Sequence, residues 1–316
     1  MNKLKSFFKL IRWPNIIMII LAQLLLQYML ISHVFKLIQM ESPLGDFHFI
    51  LLMMSTVLMA AFGYVYNDVQ DIGVDKINKN DNRIIDVIIS KKSGKLIYMS
   101  FLVFSLMLAL YLSMILQMIQ LIFIHLIIAG GLYFYSKQFQ RKVLSGNILI
   151  SLFTAMSIFI VWIYHLVVLT NNPVMMIDAR RIIPFLNTTV TAYAAFAFLL
   201  SLMREIIKDI EDIKGDSEKE LQTFAVVYGI KKSKLLVSFL SIIMLVLISL
   251  AAYYSYTHSW FKLSSYFIIA VVFPLLYFFY YLQKAEKKDD FKELSTLAKI
   301  IMVAGILSMQ IFYINY

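Results

Sequence analysis

The chain has 316 residues, of which 61% are hydrophobic, with a mean hydropathy of +0.78, a formal net charge of +10 and no cysteine. A soluble globular domain is about 45–50% apolar, so the composition excludes one and points to a polytopic membrane protein. Disulfide and thiolate chemistry are excluded with the cysteines, and no basic soluble domain is present to hold nucleic acid.

Met1 to Pro14 is a charged amphipathic lead-in followed by no small-residue cleavage site, so it reads as retained rather than as a signal peptide. Nine apolar stretches follow, at about 15–35, 48–66, 96–116, 118–136, 147–169, 183–203, 235–255, 264–283 and 296–315, against the roughly 20 residues a span needs. Backbone polar groups must be satisfied inside lipid, so these should be helices. The alternating ten-residue pattern of a membrane barrel is not visible. The expected fold is an all-α integral membrane protein, one polytopic domain over 1–316, with nine transmembrane helices around a central apolar cavity. The longest polar stretches lie at about 76–95 and 213–234, the second with Gly215 and Gly229 as expected breaks.

With nine spans, the N-terminus and the connections around 67–95, 137–146, 204–234 and 284–299 share one side and carry 25 of the 29 basic residues. Only Lys36, Arg180, Arg181 and Lys262 fall on the other. The positive-inside rule puts the basic side, with the N-terminus, in the cytoplasm of a cell (inner) membrane. Part of the net charge is then free to attract anionic lipid heads.

One acidic spacing occurs twice on that side. Asp68, Asp71 and Asp75, preceded by Asn67, match Asp209, Asp212 and Asp216 at an offset of 141 positions. On one helix, positions i, i+3 and i+7 form a stripe, and three like charges on a stripe repel. Acids at a helix end are commonly just solvated termini, but two triads with one spacing on one side call for cations. Mg²⁺ takes oxygen ligands and usually bridges one or two carboxylates to substrate phosphates, neutralising charge on a leaving group. A diphosphate head beside an apolar interior describes a polyprenyl diphosphate.

Asn-Asp-Val-Gln-Asp-Ile-Gly-Val-Asp at 67–75 resembles the NDxxDxxxD motif of the UbiA superfamily of intramembrane prenyltransferases. Arg204 to Asp216 is similar to the family's second aspartate motif. Arg12-Trp13-Pro14-Asn15, Tyr135-Ser136 with Arg141, Lys142 and Gly146-Asn147, and Thr223 with Val227-Tyr228-Gly229 extend the resemblance over most of the chain. It implies Mg²⁺-dependent transfer of a prenyl group from an allylic diphosphate, with Asn67, Asp68, Asp71, Asp75, Asp209, Asp212 and Asp216 around the metal. Asp71, Asp75, Asp212 and Tyr135 become the expected catalytic residues, Tyr135 as an aromatic face for an allylic cation. Arg12, Asn15, Asn67, Arg83, Lys137, Arg141, Lys142 and Arg204 become the expected substrate-binding residues, the basic ones through phosphate oxygens.

Two positions depart from the family pattern. Asn80 stands where a proline is usual, leaving the following arginine role to Arg83, and Gln140 stands where a lysine is frequent. Within the superfamily the resemblance is greatest to the geranylgeranylglycerol-phosphate geranylgeranyltransferase branch, which implies a lipid acceptor. A quinone-pathway enzyme with an aromatic acceptor, such as 4-hydroxybenzoate or a dihydroxynaphthoate, is the alternative. A secondary transporter is more distant, because its ionisable groups would sit near the bilayer midplane. The interiors of the spans hold almost no ionisable residues apart from His125 and His165, and lone histidines there read as packing groups.

Overall fold

The computed structural model describes residues 3–72, 84–218 and 220–315, and every regular element among them is a helix, apart from one isolated bridge between Ile85 and Ile89. A short helix α1 (Lys3–Leu10) precedes α2 (Trp13–Leu37), α3 (Asp46–Gln70), α4 (Lys91–Ile115), α5 (Leu121–Lys137) and α6 (Ser145–Asn171). A short α7 (Pro173–Ala179), α8 (Ile183–Glu211), a short α9 (Ile213–Glu218), α10 (Phe224–Thr257), α11 (Phe261–Lys284) and α12 (Lys288–Asn315) complete the order. Eight of these (α2, α3, α4, α6, α8, α10, α11 and α12) are long and apolar enough to cross a membrane, and α5 is an apolar helix of 17 residues where the fourth span was expected. The protein is an integral, multi-pass, all-α membrane protein.

Helix ends overrun the hydropathy boundaries. α8 continues two turns past the expected end at about 203, and α10 starts eleven residues before the expected 235. Lys, Glu and Leu keep good helix propensity in water, so hydropathy marks where lipid ends and not where the helix does. Two helices widen locally into π turns, at Leu26–Ile31 in α2 and Phe267–Val272 in α11. In α11 the cause is Pro274, which has no N–H to donate and crowds the carbonyl four residues back.

The helices form two compact units. The first comprises Met1–Gln23, Ser42–Gln140 and Ile160–Asp178. Here α3 and α4 close on a reciprocal serine pair, with Ser55 Oγ donating to the Ser105 carbonyl at 2.9 Å and Ser105 Oγ to the Ser55 carbonyl at 2.8 Å. Small side chains that bond across helices let membrane helices approach. Gly63 lets the side chain of Leu132 from α5 approach in the same way. His165 accepts the Leu44 N–H at 3.3 Å, the packing role expected for it.

The second unit comprises Leu24–Glu41, Arg141–Phe159 and Ala179–Tyr316. Its core joins α8, α10, α11 and α12 through Leu200, Met203, Val237, Phe278, Leu294 and Ile301. Gly305 of α12 lies so close to Phe196 that an added Cβ would stand 2.3 Å from the ring. Gly229 breaks α10 with φ 81° and ψ 168°, a region that only glycine enters readily, whereas Gly215 sits inside α9 and breaks nothing. The expected break at Gly215 is thus displaced to the end of α8.

Gly229→Ala should destabilise the protein by about 1–3 kcal/mol, because the alanine would be held in that region. Gly130→Ala, on α5 with open space around the new methyl, should instead be neutral or stabilising by up to about 1 kcal/mol. Thermal melts of both variants in one detergent check the opposite signs.

Candidate active site

Both acidic motifs stand where a long helix stops. In the first unit α3 runs through Asn67, Asp68, Val69 and Gln70, and Asp71 is its C-cap at φ −86°, ψ 6°, its N–H bonded to the Asn67 carbonyl at 2.9 Å. In the second unit Asp209 lies in the last turn of α8, and Asp212 is its C-cap at φ −99°, ψ 6°, its N–H bonded to the Lys208 carbonyl at 2.9 Å. The middle aspartates of the two motifs therefore occupy the same position on two helix ends. For the second motif this corrects the expected single stripe: the helix ends at Asp212, and Asp216 rides on the separate α9. Asp75 and Arg83 lie outside the described residues.

The helix end is the negative pole of its dipole, which disfavours a carboxylate there by about 0.3–1 kcal/mol. The neighbours respond mostly with neutral donors. Buried Asp71 accepts the Asn67 side-chain amide at 2.9 Å and the Gln140 amide at 3.1 Å. An ionised carboxylate only accepts, so the Asn67 Nδ2 must face Asp71. Its Oδ1 then receives the Ser136 hydroxyl, at 3.1 Å. Half-buried Asp209 accepts the Asn147 amide at 2.8 Å.

Cations reach the motifs as well. Arg12 reaches Asp68 at 3.4 Å and lies over the Tyr64 ring, 4.9 Å from its centroid. Its own backbone is left-handed at φ 51°, the turn between α1 and α2, and Asn15 donates to the Tyr64 hydroxyl at 3.3 Å. Lys288 stands 3.7 Å from Asp212 with both side chains more than half exposed, a pair worth little in water.

The other expected site residues are more scattered. Arg204 pairs with Glu205 at 2.6 Å rather than with an aspartate of the motif. Lys137 turns back on its own helix to bond and cover Tyr133. Tyr135 is half-buried near the end of α5, and Lys142 is exposed after the short 3-10 helix Phe139–Arg141. The side chain of Arg141 lies outside the described residues. Tyr66, next to Asn67, is buried and stacks between Phe62 and Tyr133 at 5.6 Å from each.

Three contacts lay beyond the sequence reading. Gln140 counted as a lost cation and proves to be a donor to Asp71. Asn147 sits 62 residues from its aspartate and Lys288 76 from its own. The asparagine was visible only within the resembling segment.

The donor set is all oxygen, which suits a hard cation. Among the described residues no three acids or histidines converge to hold a metal alone. Mg²⁺ usually takes one or two carboxylates and completes its shell with water and substrate phosphate.

Residues 29–303 match the model described as the UbiA prenyltransferase family. The chain belongs to that family. It is 32% identical to the digeranylgeranylglyceryl phosphate synthase of Saccharolobus solfataricus over 251 residues, 79% of each chain. The corresponding synthase of Korarchaeum cryptofilum is 30% identical over 80% of each. A solved structure of digeranylgeranylglyceryl phosphate synthase in membranes superposes over the full length of both chains, with a TM-score of 0.63 at 25% identity. A UbiA homologue from Archaeoglobus fulgidus bound to DMAPP and Mg²⁺ shares the fold, with a TM-score of 0.56 at 14% identity over 96% of this chain and 99% of its own. Family membership makes the protein a prenyltransferase and sets the transporter alternative aside.

Asn147→Ala should destabilise the metal-free protein by about 0.5–3 kcal/mol, the worth of a hydrogen bond to a carboxyl group, neutral or charged. Asn147→Asp should cost more, since it sets a second carboxylate against Asp209. Thermal melts in chelator at low salt check the order, wild type above Asn147→Ala above Asn147→Asp.

Proposed function

We propose that this UbiA-family prenyltransferase moves a geranylgeranyl group from its diphosphate to the free hydroxyl of geranylgeranylglyceryl phosphate, making an ether lipid. The observation that carries the acceptor assignment is the likeness to the Saccharolobus solfataricus synthase over four-fifths of both chains. The acidic helix ends support the donor assignment independently of it.

In the proposed reaction the bond between C1 of the prenyl chain and its diphosphate oxygen breaks, leaving an allylic cation and free diphosphate. The acceptor hydroxyl oxygen forms the new bond to C1, and its proton leaves to solvent or diphosphate. Asn67, Asp68, Asp71, Asp75, Asp209, Asp212 and Asp216 would hold Mg²⁺, which supplies charge neutralisation to the departing diphosphate. The amides of Asn67, Gln140 and Asn147 fix the carboxylates before substrate arrives, so little reorganisation is left for the reaction. Arg12, Arg83, Arg141, Lys142 and Arg204 are the proposed phosphate contacts, with Lys137 supporting from Tyr133, Asn15 steadying Tyr64, and Tyr135 facing the cation. The apolar spans receive the prenyl chain. Counting α5 as a crossing gives nine spans and puts the N-terminus and both motifs on the cytoplasmic side, the side with 25 of the 29 basic residues.

Purified protein in detergent with Mg²⁺ and labelled geranylgeranyl diphosphate should prenylate geranylgeranylglyceryl phosphate and not 4-hydroxybenzoate offered in parallel. Transfer to the benzoate alone would move the protein to the quinone branch. Asp71→Ala and Asp212→Ala should each lower turnover by at least a thousandfold while keeping a cooperative melt. Retained turnover in either variant would show that its motif does not serve the diphosphate.

A further inference from the structure

The first turns of α4 carry a charge arrangement that a helix disfavours. Lys91, Lys92 and Lys95 crowd its N-terminal end, and no acidic residue stands in the first turn. The unpaired N–H groups there already form the positive pole of the helix, so the lysines add like charge to like. Ser90 caps the end, accepting the Ser93 N–H at 3.1 Å. Among the described residues neither Lys91 nor Lys95 has an ion-pair partner.

Beside this turn lies a cavity of about 320 Å³, lined by Val69, Gln70, Ile72, Lys91, Lys95 and Tyr98. Lys91 and Lys95 are one turn apart and share a face; Lys92 does not line the space. The walls are firmly built. A Cβ on Gly94 would meet Val69 and Ile85 at 3.0 Å each, so its absence lets the start of α4 close on α3. Ile84 and Ile85 are buried in a turn where the Asp86 N–H bonds to the Ile89 carbonyl at 2.8 Å. The Tyr98 ring is buried and packed edge-on to Tyr66, 5.1 Å between centroids.

Two lysines, whose ammonium groups carry three donors each, therefore line a concave space with an aromatic and aliphatic floor. Its volume is at the lower end of small-ligand sites, about 300–1,000 Å³, enough for a headgroup and too small for a long prenyl chain. Val69 follows Asp68 by one residue and Gln70 and Ile72 flank Asp71, so the cavity adjoins the acidic motif, while its two lysines come from the neighbouring α4. We propose that this cavity binds the phosphate of an anionic glycerophosphate lipid through Lys91 and Lys95. Two sources carry that chemistry: the acceptor, in which case the inference rests on the function proposed above, and the anionic lipid of the surrounding membrane.

The test compares the full-length wild type with the single variants Lys91→Gln and Lys95→Gln, their double variant, and Lys92→Gln as the neighbour that removes the same charge as either single variant, all in nanodiscs. One arm measures acceptor KM for geranylgeranylglyceryl phosphate and for phosphate-free geranylgeranylglycerol. The other measures retention of phosphatidylglycerol by native mass spectrometry. An acceptor site predicts a tenfold or larger rise in KM for the phosphorylated acceptor only, with donor KM within twofold. A site for membrane lipid predicts tenfold weaker phosphatidylglycerol retention with acceptor KM unmoved. The inference is overturned if neither quantity moves, or if Lys92→Gln matches the double variant. Should the wild type transfer nothing to either acceptor, the function proposed above fails, and the lipid-retention arm still decides the cavity.

Discussion

A carboxylate fixed at the C-terminal end of a helix works against the helix's own field, and this chain does it twice in one register. Asp71 and Asp212, 141 residues apart, both cap their helices with nearly the same backbone angles. Each arrangement costs about 0.3–1 kcal/mol before any like-charge repulsion is counted. A second carboxylate one turn earlier, Asp68 or Asp209, deepens the negative potential. Such an end is stable only where donors surround it, and a neutral donor leaves the carboxylate's charge in place. The amides of Asn67, Gln140 and Asn147 are neutral donors of this kind. They satisfy oxygen lone pairs without cancelling charge, which leaves the attraction for a divalent cation intact.

The packing behind the aspartates serves that purpose. α3 carries the first motif and is clamped on one side by the Ser55–Ser105 pair and approached on another by Leu132 at Gly63. Each device brings backbones or bulky side chains close, where a single conformation of the helix fits. Tyr66, immediately before Asn67, is locked in a stack with Phe62 and Tyr133. The helix end cannot therefore relax away from its own charge. Positioning of this sort is what a reaction through a separated cation and diphosphate needs, since the protein contributes little covalent chemistry to it.

Hydropathy made the spans legible because lipid imposes one rule on every residue that crosses it. Helix ends were not legible: Arg204 to Glu211 carry five charged residues, and they continue α8 because lysine and glutamate keep a helix in water as well as leucine does in lipid, while Ile206, Ile207 and Ile210 stay in the core. The spacing of the acids was visible, but the stop at Asp212 was not, since nothing in Glu-Asp-Ile-Lys-Gly marks it and Gly215 drew the break to the wrong place. Gly229 was legible as a break because no other residue takes φ 81°, ψ 168° cheaply. Gln140 was misjudged for a physical reason. Comparing a sequence with a family pattern counts charges, whereas Asp71 needs donors, and an amide supplies one as well as an ammonium does. Contacts such as Asn147 to Asp209 join residues far apart in the chain, and spacing carries no trace of them.

The end of α3 also sorts two kinds of phosphate. A diphosphate that must leave needs a metal bridging it to carboxylates, so its cradle has to be acidic. A phosphate that merely anchors a lipid is better held by ammonium groups directly, and an acidic cradle without metal repels it. Placing the aspartates at the end of α3 and Lys91 with Lys95 at the start of α4 gives each anion a partner the other does not prefer. Specificity is a difference between affinities, and repulsion contributes to it as much as attraction does. A phosphorylated acceptor that settled on the metal would compete with the donor and stall the reaction. Where the acceptor is the lipid held, Lys91 and Lys95 on α4 would draw that phosphate away, leaving the metal to the diphosphate.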